Sequence, residues 1–328
     1  RAEGAAPLRV ALLDALAIGP GATWRLDQPA AYLNNTQADA TTVHPDDSTR
    51  MSGPPAPGPD LVDWARRVRA EGTHPAGEWV VEEASALTGA TFPTRRLQGV
   101  YYRDQLEAAA GTGAVELTEV LGRAVDLEGT GAERTVVLED GRRLSAPVVV
   151  LAQGMVQGRR SREVEELAGF AARHGLRYVE PGMPAERDFT GLPAGQDVLV
   201  RGLGANLFDV LGQLAEEWGG AFEPVDGDPH GRLRYLPSGR EPRLLVGSRR
   251  GVPYRSKPEG GRSVRPFVPR WASPEWFAAL AARGGIDFAD EVWPVLGREF
   301  ARVYLEALGE LRPQAVGGDW LAGLEAAS

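Results

Sequence analysis

The apolar positions of this chain fall into runs of two kinds. Continuous runs occur at residues 7–15 ("PLRVALLDA"), 148–151 within "VVVLAQG", 197–201 ("DVLVR") and 242–248 ("PRLLVGS"). Uninterrupted stretches of this length, without alternation, are the pattern of strands buried on both faces. Spaced runs mark helices at 59–70 and 101–110, and another at 161–175, where Ser161 supplies an N-cap, early acids follow and Gly175 closes the segment. Near the C-terminus Trp293, Leu296, Phe300, Val303, Ala307, Leu308 and Leu311 recur at three- and four-residue steps, with Pro294 tolerable in a first helical turn. Such a stripe is ordinarily core.

Between these runs the chain turns in recognisable ways. Residues 134–154 read as a hairpin turning at Asp140 and Gly141 that runs on into the 148–151 strand. Residues 227–254 read as an inserted hairpin leading to the strand that ends at 247–250. Residues 16–47 have no period at all. A loop of that length is uncommon in a compact domain and is ordinarily functional or disordered.

Composition narrows the chemistry. The 328 residues are enough for two domains with sizeable cores, and 43% hydrophobic with 25% charged residues is ordinary for a globular protein. A net charge of -9 argues against a nucleic-acid partner. No apolar run approaches the ~18 residues of a membrane span. No basic segment followed by an apolar stretch marks an export signal, so a cytoplasmic location is expected. The chain has no Cys, hence no disulfide, no thiolate metal site and no redox-active thiol pair. Its four histidines, His44, His74, His174 and His230, show no ligand spacing, so no metal is expected. The one lysine, Lys257, sits in "RSKPEGG", which is not a phosphate loop. Redox chemistry here needs a bound cofactor.

The strongest candidate site is "DVLVRGLGANLFDVLGQL" at 197–214, a strand, a glycine turn and a helix start. Gly202 permits the tight turn and Gly204 lets a pyrophosphate approach the backbone, with free amides from Asn206 onward aimed at the anion. Leu207 stands where a third glycine is usual. For the nucleotide's ribose two alignments compete. Ser248, Arg249 and Arg250 at the end of "RLLVGS" suit a 2′-phosphate, and so NADPH. Asp226 after "AFEPVD" would suit NAD and has the better spacing, but Pro224 disrupts that segment as a strand, so the arginines are preferred. Asp14, at the end of the first run, is either a ribose-binding acid or a strand-end cap. In the first case the glycine turn belonging to it is expected about 20 residues upstream, before the chain begins.

The segments "GPGATWRLDQPAAYLNNTQADATTVHPDDS", "FPTRRLQGVYYRDQL", "VVVLAQG", "VLVRGLGANLFDVL", "YLPSGREPRLLVGSRRGVPY" and "EVWPVLGREFARVYLEAL", in this order, resemble a family of FAD/NAD(P)-binding proteins distantly like flavin-containing monooxygenases. The resemblance implies an α/β fold of two Rossmann-like dinucleotide-binding domains, one β/β/α and one α/β/α, with a helical C-terminal segment. The expected domains are 1–156 for FAD, its first strand and phosphate turn missing, 157–260 for NAD(P), and 261–328 as a substrate cap or interface. Such proteins usually continue well beyond residue 328, so the chain is expected to be a fragment or variant of a longer flavoprotein. The resemblance further implies that Asp14 holds the FAD ribose. The loop through Trp24, Asn34, Asn35 and Thr36 would run beside the flavin, and Ala152 and Gly154 would pass close to the cofactor. NADPH would be held by the 202–206 turn with Ser248, Arg249 and Arg250.

The expected activity is oxidation driven by FAD and NADPH, with a monooxygenase acting on a small molecule as the leading form. A flavin reductase or dehydrogenase without oxygen insertion is the alternative, as is a nucleotide-binding module without turnover. No catalytic base is identifiable. The helical C-terminal segment could serve as a homodimer face.

Overall fold

A computed structural model describes residues 6–45, 49–53, 55–156, 158–229, 231–254 and 267–326. His230, Lys257 and the expected start of the helical segment at Gly261 lie outside the described residues. The chain forms two compact units, Arg1–Ser256 and Lys257–Ser328.

The first unit opens with strand β1 (Leu8–Asp14), which pairs in parallel with β2 (Val115–Leu121) from Leu8 opposite Val115 to Asp14 opposite Leu121. The crossover between them holds three helices, α1 (Leu61–Glu71), α2 (Glu78–Ala86) and α3 (Arg95–Gly111). Helix α1 begins where the Asp60 carboxylate accepts the Asp63 amide at 2.8 Å, and ends at Gly72 in the left-handed conformation (φ 69°). Helix α3 begins at Arg95, earlier than the expected Tyr101, because Thr94 caps it by accepting the Leu97 amide at 3.1 Å. The core lies among these helices: Leu61, Trp64, Val68, Val80, Leu97, Val100 and Tyr101 are all buried. Each such side chain contributes about 1.5–3 kcal/mol. The polar tips are paired, with the Trp64 indole donating to Asp104 at 2.8 Å and the Tyr101 hydroxyl to the Pro59 carbonyl at 2.8 Å.

After β2 come β3 (Ala124–Glu128), β4 (Arg134–Leu138) and β5 (Arg143–Ala146), an antiparallel sheet whose last turn is the expected one at Asp140 and Gly141 (φ 86°). Helix α4 (Arg162–Arg173) starts on the expected Ser161 cap, which accepts the Val164 amide at 3.3 Å. Strand β6 (Asp197–Arg201) leads into α5 (Ala205–Trp218) and pairs in parallel with β9 (Arg243–Gly247). The intervening β7 (Ala221–Pro224) and β8 (Leu233–Leu236) form a separate antiparallel hairpin. The class is mixed α/β and Rossmann-type, as expected, with small sheets among the described residues: each parallel ladder holds two strands.

Three expectations are corrected. Residues 148–151 form no strand, and Val148, Val150 and Leu151 are exposed. Strands β1, β6 and β9 exist but are not buried on both faces: each has one neighbour, and Leu8 is 67%, Leu199 81% and Leu245 43% exposed. An apolar run reports what would favour burial, not whether a covering element is at hand. Pro224 does not disrupt its strand but ends it, opposite Leu233, where a missing N–H does little harm.

The β7–β8 hairpin is tied to the approach to β9 by Glu241. Its carboxylate accepts from the Tyr235 hydroxyl and the Ser238 amide at 2.7 Å each, and from the Gly239 amide at 2.8 Å. These bonds, the Tyr235 hydroxyl foremost, hold Glu241 down at about 2, and loss of hydration followed by that carboxylate pushes Tyr235 up to about 12. Because the folded value of Glu241 lies below its ordinary 4.5, the stabilisation is complete above pH 4.5 and lost as pH falls towards 2. Amide exchange at Ser238 and Gly239, corrected for its intrinsic pH dependence, will therefore accelerate across that window. Glu241→Gln should abolish the dependence.

The second unit contains α6 (Pro274–Arg283), α7 (Trp293–Leu311) and α8 (Trp320–Ala326). Pro294 lies in the first turn of α7, as expected. The expected core stripe does not hold: Trp293, Phe300, Val303 and Leu311 are exposed. The buried residue of α7 is instead Glu299, which accepts the amides of Arg270 and Trp271 at 2.5 Å each and the Arg302 guanidinium at 3.1 Å. Burial opposes its charge, but the amides and Arg302 outweigh burial and keep its pKa below the ordinary range. No described helix is long and apolar enough to cross a membrane.

Candidate functional site

The glycine turn at 202–204 is built by backbone geometry. Gly202 follows β6 with φ 126°, which a side chain would strain, and its amide donates to the Gly247 carbonyl at 2.8 Å. Gly204 is the N-cap of α5 and has no side chain to cap with. Helix amides left without a capping group carry the positive end of the helix dipole, which suits an anion. Asn206 lies on this exposed first turn.

The parallel pairing of β6 with β9 sets the other half of the site. Arg201 lies opposite Gly247, so both strands end at the same edge, and the residues after them converge. Leu203, Gly204, Ser248, Arg249, Arg250, Val252 and Tyr254 line one cavity of about 200 Å³. The Tyr254 amide donates to the Leu203 carbonyl at 3.2 Å, and the Arg250 guanidinium lies over the Tyr254 ring at 5.2 Å. Among the described residues no carboxylate pairs with Arg249 or Arg250. Asp226, the competing ribose acid, sits in the β7–β8 turn and β7 does not pair with β6. Uncapped amides, a hydroxyl and two guanidinium groups around one cavity fit the phosphates of a dinucleotide.

Asp14 ends β1. Its Oδ1 accepts the Leu16 amide at 2.7 Å and the Ala17 amide at 3.0 Å, so it caps the turn that follows. Neither bond uses Oδ2. Just past it, Leu16, Ala17, Ile18, Pro20, Arg25, Leu26, Asp27 and Arg103 line a cavity of about 420 Å³. The charges on its wall are internally matched: Arg25 pairs with Asp27 at 2.7 Å, and Arg103 with Glu107 at 2.7 Å and Glu119 at 2.8 Å. The cavity is mainly apolar with balanced charges, which fits a nucleoside, and Asp14 is not among the residues that line it.

The long loop is held by one network. The Trp24 indole donates to Asn34 Oδ1 at 3.1 Å, and Asn34 Nδ2 donates to Gln98 Oε1 at 2.6 Å and to the Thr94 carbonyl at 3.4 Å. Gln98 in turn donates to the Tyr102 hydroxyl, and Trp24 meets Tyr102 edge-on at 5.0 Å. Trp24 and Asn34 are thus brought together, and both amide hydrogens of Asn34 are spent on holding the loop to α3. Asn35 and Thr36 are exposed farther along the loop. Ala152 and Gly154 lie on the exposed segment that follows the three-stranded sheet and join no strand.

Sequence reasoning passed over Gly99, on which this arrangement depends. A Cβ there would overlap the Trp24 carbonyl oxygen and lie 3.0 Å from its carbon. The signal was available, since a glycine inside "RRLQGVYYRDQL" weakens a helix by about 1 kcal/mol and so implies a packing reason. Arg95 and Asp209 were missed too; neither carries a local signature.

Residues 1–156 match a family model described as FAD-NAD(P)-binding. The chain is 38% identical to an L-aspartate N-monooxygenase (nitrosuccinate-forming) of Streptomyces davaonensis, over 94% of this chain and 50% of that protein. It is 36% identical to an L-aspartate N-monooxygenase of Streptomyces cremeus, over 94% of this chain and 48% of the relative. It is 34% identical to a nitrosuccinic acid synthase of Aspergillus oryzae, over 92% and 45% respectively. The chain spans about half the length of the curated relatives it matches.

Proposed function

We propose that this chain, whose residues 1–156 match the FAD-NAD(P)-binding family model, is the nucleotide-binding part of an FAD- and NADPH-dependent N-monooxygenase acting on a small amino acid, L-aspartate first among the candidates. The observation that carries the reading is the convergence of the 202–204 turn with Ser248, Arg249 and Arg250 on one cavity, in a chain 38% identical to an L-aspartate N-monooxygenase. Flavin, when bound, supplies hydride acceptance and the activation of oxygen.

The chain's own residues supply binding and placement. The amides at the head of α5 receive the pyrophosphate of NADPH, Arg249 and Arg250 clamp its 2′-phosphate, and Ser248 adds a hydroxyl. Asp14 orients the adenosine ribose of FAD with the oxygen its turn leaves over. The network of Trp24, Asn34, Gln98 and Tyr102 keeps the loop beside the flavin in one conformation, and water away from it. In balance, an amine, O2, NADPH and a proton give a hydroxylamine, NADP+ and water. The substrate amine loses two electrons and NADPH supplies two. A cytoplasmic location belongs to the same proposal.

The test is a visible spectrum of the protein with added FAD, followed by anaerobic NADPH and then by air with L-aspartate. Bound flavin that bleaches with NADPH, and NADPH consumption that rises with L-aspartate together with an N-oxidised product, is expected. Consumption indifferent to any amine would make it a reductase. No bound flavin would end the catalytic reading.

A further inference from the structure

One polar cluster has no part in the two cavities. Helix α5 begins at the phosphate turn, and Asp209 and Gln213 share one of its faces, four residues apart. Asp209 pairs with Arg95 at 2.6 Å, with side chains only 11% and 14% exposed, and Gln213 accepts from the Tyr32 hydroxyl. Between them on that face, Gly212 lies against the 24–36 loop so closely that a Cβ there would sit 2.9 Å from the Ala31 Cβ. Arg95 is the first residue of α3, its amide donates to the Tyr32 carbonyl at 2.8 Å, and its guanidinium lies over the Tyr32 ring at 5.5 Å. Two contacts therefore join the helix that carries the nucleotide turn directly to the loop that would flank the flavin, Gln213 with Tyr32 and Gly212 with Ala31, and a third, Asp209 with Arg95, joins it through the residue on which Tyr32 rests.

The pair is poorly built as a source of stability. Burial pushes the Asp209 carboxyl up despite the facing Arg95, and Arg95 Nη1 is buried without a hydrogen-bond partner. A buried ion pair with an unmet donor costs nearly what it returns, and the best-attested use of such pairs is to select one arrangement over others. Apolar side chains would hold the surfaces together equally well but would let them slide.

We propose that Arg95 and Asp209, with Tyr32, Gln213 and the Ala31–Gly212 contact, form a joint that fixes the nucleotide turn relative to the 24–36 loop, which makes Arg95 and Asp209 positioning residues for hydride delivery. The assignment to hydride delivery rests on the flavin monooxygenase reading above; the joint itself does not.

Arg95→Leu, Asp209→Asn, the exchanged pair Arg95→Asp with Asp209→Arg, and Gly212→Ala test it. Amide exchange without any ligand comes first. Arg95→Leu and Gly212→Ala should each speed exchange at both 31–36 and 205–213 by about 10-fold relative to the parent. Anaerobic reduction by NADPH comes second. The limiting rate should fall about 10- to 100-fold, the effect of sub-ångström to ångström misplacement. The NADPH dissociation constant should move less than about 3-fold, and the exchanged pair should recover most of the rate. Reduction by dithionite should be unaffected in every variant. Unchanged exchange at either segment overturns the joint, as does a loss that appears in NADPH affinity rather than in rate. If Arg95→Leu fails to fold, the single added methyl of Gly212→Ala decides. A protein that binds no flavin overturns the function reading, and the exchange result alone then decides the joint.

Discussion

Replacing Arg249 and Arg250 together with alanine will raise the KM for NADPH by about 100-fold and leave the KM for NADH nearly unchanged. A charge-assisted hydrogen bond contributes about 1.5–3 kcal/mol, and about 1.4 kcal/mol is a factor of ten in affinity. Both guanidinium groups are exposed, so screening places each near the low end, about tenfold apiece. Arg250 is the better organised of the two, because the Tyr254 ring beneath it at 5.2 Å restricts it before any ligand arrives. It should therefore account for the larger single effect. Steady-state kinetics with both nucleotides at low and high salt checks this, and the parent's preference for NADPH should weaken as salt rises. Equal losses for the two nucleotides would mean that the arginines serve the pyrophosphate common to both.

Gly99→Ala will unfold the protein earlier, against the direction helix propensity predicts. Inside a helix the change ordinarily favours alanine by about 1 kcal/mol. Here the new methyl would overlap the Trp24 carbonyl oxygen, which is backbone and can move only if the loop moves. Overpacking of this kind costs about 1–3 kcal/mol, and contact with main chain belongs at the upper end, so the net loss should be about 2 kcal/mol. The loop's displacement would also strain the Trp24–Asn34 hydrogen bond and the Trp24–Tyr102 contact, and FAD affinity should fall with stability. Gly111→Ala is the internal control. It lies on the same helix, nothing comes within 4 Å of its Cβ position, and it should leave stability unchanged or slightly raised. Denaturant unfolding of both variants, with FAD titration, reads the contrast. If Gly99→Ala were as mild as Gly111→Ala, the loop would not be seated on α3.

The sequence by itself determined the features that depend on a few neighbouring residues. The Ser161 cap, the turn at Asp140 and Gly141, the helix carrying Pro294, and the strand, glycine turn and helix start at 197–214 were all legible there. The reason is that capping, turn conformation and the entry of a helix are settled by backbone sterics and by hydrogen bonds between residues two to four apart. The family resemblance added the cofactor class, because it rests on ordered local motifs.

Tertiary structure alone decided the rest. Whether Ser248, Arg249 and Arg250 or Asp226 stand beside the 202–204 turn depends on which strand pairs with β6, and a strand pattern does not name its partner. The run at 148–151 and the stripe on α7 looked equally suited to burial, yet most of each is exposed. Periodicity records a preference, while burial requires a second surface. Asn34 read as a group available to a ligand, but its amide hydrogens are taken by Gln98 and Thr94, more than fifty residues away. Arg95 and Asp209, 114 positions apart, become a pair only once α5 lies against the 24–36 loop. Contacts of that range are chosen by the free energy of the whole packed arrangement, which no short stretch of chain contains.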